Sequence, residues 1–283
     1  MATAQGLLRN FNEVKTLPHV EIRLSKLISD ENSTMREFEE VIRLDPTLVL
    51  RLLRLVNSSY YGLRQKINSI SRALVFVGMK NLRNMVITEA LKGIVGKGKK
   101  NKMAIRNGLW LHSATVGIFG QMISERIFEK KGEDAFLCGI LHDIGMIIED
   151  QVAKDLFEKT CEAYDPESKS ITEYEREIIG TDHCELGSLL AKTWKLPVEV
   201  QEGIQKHHTV LDHVSPSSVT GIIQTADYLA NQMKHPALPG MHGVLSPDLA
   251  SHIQENLEEY RTLTKDFPDE ISKAVEIYQI EEG

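Results

Sequence analysis

Leu137-Cys138-Gly139-Ile140-Leu141-His142-Asp143-Ile144-Gly145-Met146-Ile147 sets an adjacent histidine and aspartate inside an apolar run. A charge buried there costs several kcal/mol unless it is paired or coordinated, so the segment either lines a site or holds a satisfied polar pair. Asp134 can cap the helix that delivers it, and Gly145 is expected to mark that helix's end.

Working outward, the apolar periodicity is helical throughout. Towards the C-terminus, Gly180-Thr181-Asp182-His183-Cys184-Glu185-Leu186-Gly187 leads into a helix through Leu189, Leu190 and Trp194. Pro197 starts another, with Val200 and Ile204 on the way to His207-His208. Past Ser215-Pro216-Ser217-Ser218 comes a helix bearing Ile222, Ile223, Ala226, Asp227, Leu229 and Ala230. The last forty residues carry two patterns, one with Leu249, Ile253, Leu257 and Tyr260, the other after Pro268 with Ile271, Val275 and Ile277.

Towards the N-terminus, a long helix through Ile105, Leu109, His112, Val116, Phe119, Met122, Ile123 and Ile127 keeps His112 close to its apolar face. Before it, Lys92 to Lys102 is rich in glycine and lysine and reads as a solvated hinge between two helical lobes. It lacks the GxxxxGK[ST] form that would cradle a nucleotide. Earlier still, Leu17-Pro18 opens a stripe of Ile22, Leu24, Leu27 and Ile28. Thr34 with Glu37 has the form of a capping box, and Asp45-Pro46 sets an aspartate N-cap before a proline at the first helical position. Tyr60-Tyr61 beside a turn reads as a core cap rather than a stacking platform for bases. Ser69 caps a helix that Gly78 ends, and a further helix runs from about Asn81 through Leu82, Met85, Val86 and Ala90.

These patterns predict an all-α, two-lobed protein: an N-terminal helical lobe over residues 1–101, a second lobe over 102–235, and a C-terminal helical extension over 236–283. At 283 residues the chain can bury a substantial core. A formal charge of −7 argues against a dedicated nucleic-acid binder. The N-terminus has no charged-then-apolar leader and no run approaches a membrane span, so a cytoplasmic protein is expected. Cys138, Cys161 and Cys184 have no CxxC spacing and are expected reduced, with Cys184 beside His183 near any site there.

Five histidines of the second lobe, His112, His142, His183, His207 and His208, fall where the pattern predicts burial, as do Asp143 and Asp227. Singly, each is an ordinary core or capping residue; together they exceed what a core tolerates. Imidazole with carboxylate suits iron, manganese, zinc or nickel, and a set of this size has room for two ions bridged by an aspartate. Such a centre supports metal-assisted phosphoester hydrolysis. The alternative is a metal-free polar network.

The order His112, His142-Asp143, His183, His207-His208, Asp227 resembles the ligand series of the HD superfamily of helical metal-dependent phosphohydrolases, with its HD-GYP branch. The context is closer to the HDOD family: Leu55 to Gly62, the Ile70 to Gly78 helix, Trp110-Leu111-His112-Ser113, Gly139 to Gly145, Asp182 to Gly187, and Trp194-Lys195-Leu196-Pro197. This resemblance runs from about Leu17 to Ala230. It implies those seven residues as ligands of one or two divalent transition-metal ions, iron or manganese ahead of zinc or nickel. It also implies a signalling or regulatory role with a protein partner, and a phosphorylated small molecule as a candidate ligand. A stand-alone module is expected, without membrane or nucleic-acid partners.

Departures from the catalytic branch bear on turnover. HD-GYP phosphodiesterases carry lysine where this chain has Met146. A Gly-Tyr-Pro motif should follow the paired histidines, yet Thr209-Val210-Leu211 does, and Gly108 replaces an acidic residue some members use as a ligand. Cyclic di-GMP hydrolysis is therefore not expected. Another phosphohydrolase or nucleotide phosphodiesterase activity, with Asp143 and His142 at its centre, is the alternative function, and a metal-free scaffold is a third.

Overall fold

In a computed structural model, the described residues are 2–11, 20, 23–24, 27, 30, 32–57, 63, 65–78, 82, 100–193, 196–210, 212–243 and 245–278. The expectations for Ile22, Ile28, Tyr60-Tyr61, Met85 to Ala90, most of the 92–102 hinge and Trp194 lie outside them. Every regular element among the described residues is helical. Those with defined bounds are α1 (Ala4–Asn10), α2 (Met35–Ile42), α3 (Pro46–Val56), α4 (Lys100–Arg126), α5 (Glu133–Leu141), α6 (Ile144–Val152) and α7 (Lys154–Ala163), followed by α8 (Ile171–Ile178), α9 (His183–Thr193), α10 (Val198–Lys206), α11 (Val219–Gln232), α12 (Pro247–Glu255) and α13 (Leu257–Tyr278). Residues 70–78 are helical as well. No described helix is long and apolar enough to cross a membrane.

Local chemistry starts these helices where the sequence says it should. Thr34 and Glu37 form a reciprocal capping box on α2. Asp45 Oδ1 accepts from the Thr47 and Leu48 backbone N–H groups at 2.8 and 3.1 Å and so caps α3, whose Leu48, Leu52, Leu53 and Val56 are buried. Ser69 Oγ accepts from Arg72 N–H ahead of residues 70–78. Ser170, Ser218 and Ser246 cap α8, α11 and α12 in the same way.

The long helix α4 is the centre of the bundle, with α5, α11 and α13 packed along it. Its closest neighbour is α5. A Cβ added to Gly139 would lie 2.6 Å from Gly117 Cα, so the two backbones touch where both residues lack side chains. That crossing sits one turn before His142 and brings it up to His112 on α4. On another side of α4, α13 lays Phe267 flat on Phe119, ring centroids 3.8 Å apart.

Three boundaries differ from the sequence expectation. The helix delivering the opening segment ends at Leu141, and a new one begins at Ile144, so Gly145 lies in the first turn of α6 and ends nothing. Gly132, not Asp134, is the α5 N-cap; Asp134 is inside the first turn, where a carboxylate suits the helix dipole. At the C-terminus the break falls at Asn256, and Pro268 lies inside α13. An interior proline costs ~3 kcal/mol. Burying Tyr260, Leu263, Phe267 and Ile271 on one stripe, at about 1.5–3 kcal/mol per large apolar side chain, outweighs it.

The buried apolar residues form one cluster running from Ala4 to Ile271. The first helix, α1, packs on α9 and α6, and Ala2 N–H donates to Ile179 O at 2.9 Å.

Candidate metal centre

The break between α5 and α6 falls on His142-Asp143, and this builds the site. His142 is the C-cap of α5, with Nδ1–H turned back onto Gly139 O at 2.7 Å. His207 is the C-cap of α10 and does the same to Ile204 O at 2.8 Å. Each ring thereby satisfies a carbonyl left over at a helix end. His112, from the body of α4, donates Nδ1–H to His235 O at 2.7 Å, in the turn beyond α11. His183 opens α9, held by two groups: Asp182 Oδ1 accepts from Glu185 N–H, and Glu175 on α8 accepts from both His183 N–H (3.1 Å) and Nδ1–H (2.7 Å).

All four Nδ1 atoms are thus committed as donors, which assigns the protons and leaves all four Nε2 atoms as lone pairs. Those lone pairs converge on Asp143. Its Oδ2 lies 3.5 Å from His112 Nε2 and 3.2 Å from His142 Nε2; its Oδ1 lies 3.5 Å from His183 Nε2 and 3.3 Å from His207 Nε2. Within each pair the nitrogens approach to 3.1 Å (His112 with His142) and 3.2 Å (His183 with His207). Asp143 stands at the N-cap position of α6 yet its side chain caps nothing, and neither oxygen accepts a hydrogen bond. It is 0% exposed.

Asp227 on α11 completes the first pair, with Oδ1 3.3 Å from His112 Nε2 and braced by Asn231 Nδ2 at 2.9 Å. His208 joins the second pair; its ring lies 4.2 Å from His207 and 5.0 Å from His183, and its Nε2 has no partner. Two groups result that could each hold a metal ion: His112, His142 and Asp227, and Asp143, His183, His207 and His208. The structure therefore brings together all seven residues singled out in the sequence. Only His208 is partly exposed.

Acceptors facing acceptors at these distances repel unless a cation or protons lie between them. Two imidazole nitrogens bound to one ion at 2.0–2.1 Å are separated by roughly 3–3.4 Å, which the 3.1 and 3.2 Å spacings match. The orphaned carboxylate supplies one oxygen to each pair. The residues present fit a metal ion, or two with Asp143 between them.

In the metal-free protein, protons take that place. Burial pulls His207 down, but Cys184 and Asp143 outweigh it and raise it to about 10. Burial likewise opposes charge on His183, yet Cys184 and Glu175 hold it well above the usual histidine range. Asp143 is driven up by burial and brought well below the usual carboxylate range by His142, His207 and His183, and Asp227 falls to about 2 beside His112 despite its burial. Burial and the neighbouring histidines push His208 well down.

Three contributors escaped the sequence reading. Glu175, Glu149 and Asn231 lie behind the ligands rather than among them. Burial and the adjacent Glu175 push Glu149 well above the usual carboxylate range. The available signal was register: Glu175 stands four residues after Ile171 and four before Ile179 on an otherwise apolar stripe, and Glu149 directly follows Ile147-Ile148. Met146, the position of the lysine in the hydrolytic branch, is 0% exposed in the core and brings no cation to the site.

The comparisons with known proteins agree with this architecture. Solved structures of the same fold include the MmoQ response regulator of Methylococcus capsulatus (TM-score 0.69, 20% identity, covering 89% of this chain and 98% of that one). A virulence factor of Campylobacter jejuni matches with TM-score 0.61 and 20% identity over 95% of each chain. An HDOD domain protein of unknown function from Geobacter sulfurreducens matches with TM-score 0.50 and 24% identity, covering 97% of this chain and 94% of that one. Among curated proteins, an uncharacterized protein of Treponema pallidum is 25% identical over 230 residues; these are 80% of this chain and 43% of that protein, so the chain spans less than half of its relative. The HDOD domain profile matches residues 14–210, and with most of its length so matched the chain belongs to the HDOD domain family.

Proposed function

We propose that this HDOD chain is a signal-transduction module whose regulatory element is a mono- or dinuclear divalent-metal centre, with His112, His142, Asp143, His183, His207, His208 and Asp227 as ligands. Iron or manganese comes first among the ions and zinc or nickel next. The observation that carries the reading is the convergence of four lone-pair nitrogens on a fully buried carboxylate that accepts no hydrogen bond. With the rings neutral that arrangement contains no donor, so it needs either a cation or added protons between its atoms.

A bound ion supplies Lewis acidity towards a phosphate oxygen or water. The protein's own part is positional. Gly139 O, Ile204 O, His235 O and Glu175 fix the four rings, and Asp143 spans the two groups. Because the ligands come from α4, the α5–α6 junction, α9, α10 and α11, filling the site biases the packing of all six helices. The C-terminal helices α12 and α13 then present that state to a protein partner, and a phosphorylated small molecule entering beside His208 is the proposed effector. The response-regulator name of the Methylococcus protein is in keeping with such a role.

The test is metal analysis by mass spectrometry on protein purified without added metal, with melting curves on adding iron, manganese or zinc. Bound metal and a raised melting temperature are expected; no metal and unchanged melting would refute the proposal.

Phosphohydrolase activity is the second reading, favoured by the carboxylate shared between two donor groups, an arrangement suited to activating water. It predicts turnover of some phosphoester that is lost in Asp143→Ala while the helical content persists. Silence of a metal-loaded sample across a broad substrate panel would exclude it.

A further inference from the structure

Four of the five histidines around Asp143 are fixed through Nδ1 to a carbonyl or a carboxylate. His208 has no such tie among the described residues, and its buried Nε2 is unpartnered. Its place in the donor group therefore depends on its main chain.

That main chain is a turn. Thr209 N–H donates to Lys206 O at 2.9 Å, which sets His207 and His208 at the two central positions. His207, with φ −63° and ψ −24°, has the geometry of the first central residue of a type I turn. Gln224, 1% exposed on α11, spans this turn: its Nε2 donates to Lys206 O at 2.9 Å and to Thr209 O at 2.8 Å. Both amide hydrogens are thus used, one on each flank of the histidine pair, and a flipped amide would set its oxygen against two carbonyl oxygens. Oε1 is left buried with no hydrogen-bond partner among the described residues. An orphaned buried acceptor costs the fold free energy that an aliphatic side chain of the same length would not.

The same face of α11 serves the other donor group. Asp227 Oδ1 lies 3.3 Å from His112 Nε2, and Asn231 Nδ2 donates to it at 2.9 Å. Residues 224, 227 and 231 follow the spacing of a single helix face. We infer that Gln224 is a positioning residue: it holds the Lys206–Thr209 turn so that His208 reaches the group of Asp143, His183 and His207, and it locks that group to the Asp227 side of the centre. This rests on the metal reading above and adds to the site a residue outside the seven ligands. The competing arrangement is a clamp that only closes the connection between α10 and α11 and has no bearing on the ion.

Zinc titration of the metal-free full-length chain, read by calorimetry, separates these in a double-mutant cycle. Gln224→Met keeps the length without a donor and should weaken zinc binding about 10–100-fold. His208→Ala should weaken it too, and adding Gln224→Met to His208→Ala should then weaken it no further, because the clamp acts through that ring. No loss in Gln224→Met, the same loss in both backgrounds, or an unchanged affinity in His208→Ala would each overturn the assignment and leave the metal centre standing. Gln224→Asn, the milder replacement, withdraws the amide by one methylene and should weaken zinc in the same His208-dependent way; circular dichroism of each metal-free variant checks the fold. In the wild type the Gln224 side-chain amide protons should exchange slowly and shift in NMR spectra when zinc is added. Fast exchange would overturn the clamp even if no variant folds, and a wild type that binds no zinc would overturn both readings.

Discussion

Asp45 and Asp143 are both closed off from solvent, one at the head of α3 and the other at the head of α6. Asp45 does what an aspartate at a helix start ordinarily does, accepting two backbone N–H groups. Asp143 occupies the equivalent position, declines the cap, and turns its carboxylate to four imidazoles that offer it no proton in their neutral form. In the first region Oδ1 is satisfied by main-chain donors, although Oδ2 has no partner among the described residues. The second is balanced only with added positive charge, and that difference separates the two aspartates where burial, which they share, does not.

The largest test of the contrast removes the functional aspartate. Asp143→Asn should abolish stabilisation by metal, which in the wild type reaches about 4 kcal/mol when free metal is a thousandfold above Kd. Calorimetric titration and melting with and without metal measure it; retained stabilisation would mean that Asp143 is not shared between the groups. Next, Glu175→Gln keeps the size of the group holding His183 but weakens the acceptor, and should reduce metal affinity by about 10–100-fold with little change in helical content. An unchanged affinity would reduce Glu175 to a packing residue. Smallest is Asp45→Ala, expected to cost about 1–2 kcal/mol in urea unfolding and to leave metal affinity as it was.

The two regions also part on pH. Burial raises Asp45 to about 6 against the opposing Leu48 and Thr47 N–H groups, so the fold holds its proton more tightly than the unfolded chain. Its contribution is present below 3.8 and lost as pH rises through about 6. His207 is raised too, so its contribution to the metal-free protein is full below 6.5 and lost as pH rises through about 10. Loading the site displaces that proton and should remove the upper window alone, while Asp45→Asn should remove the lower one alone. Melting curves across both ranges decide it.

Most of the fold was legible because its signals are local. Thr34 with Glu37, Asp45 with Pro46, and the apolar stripes each lie within a few residues of what they specify. The seven convergent residues were legible through their order along the chain. What escaped depends on tertiary packing. No local rule says that α13 runs through Pro268, because the decisive quantity is the burial of Phe267 against Phe119. Nor does any local rule break the helix at His142-Asp143, since both residues tolerate helix and the break follows from contacts with His112, His183 and His207. Glu175 was visible only as a misplaced charge in an apolar register, and its partner His183 lies on the next helix.

Gly145 carries a consequence of another kind. A Cβ there would sit 2.1 Å from His183 O, so the start of α6 rests on the start of α9 with nothing between them. The span between Asp143 and His183 is consequently gauged by main-chain contact rather than by any side chain that could be trimmed or lengthened. An engineer exchanging imidazole for carboxylate or thiol around Asp143 would be changing the tools in a vice whose jaws stay at a fixed opening, free to alter which ion is gripped and unable to alter how far apart the grips stand.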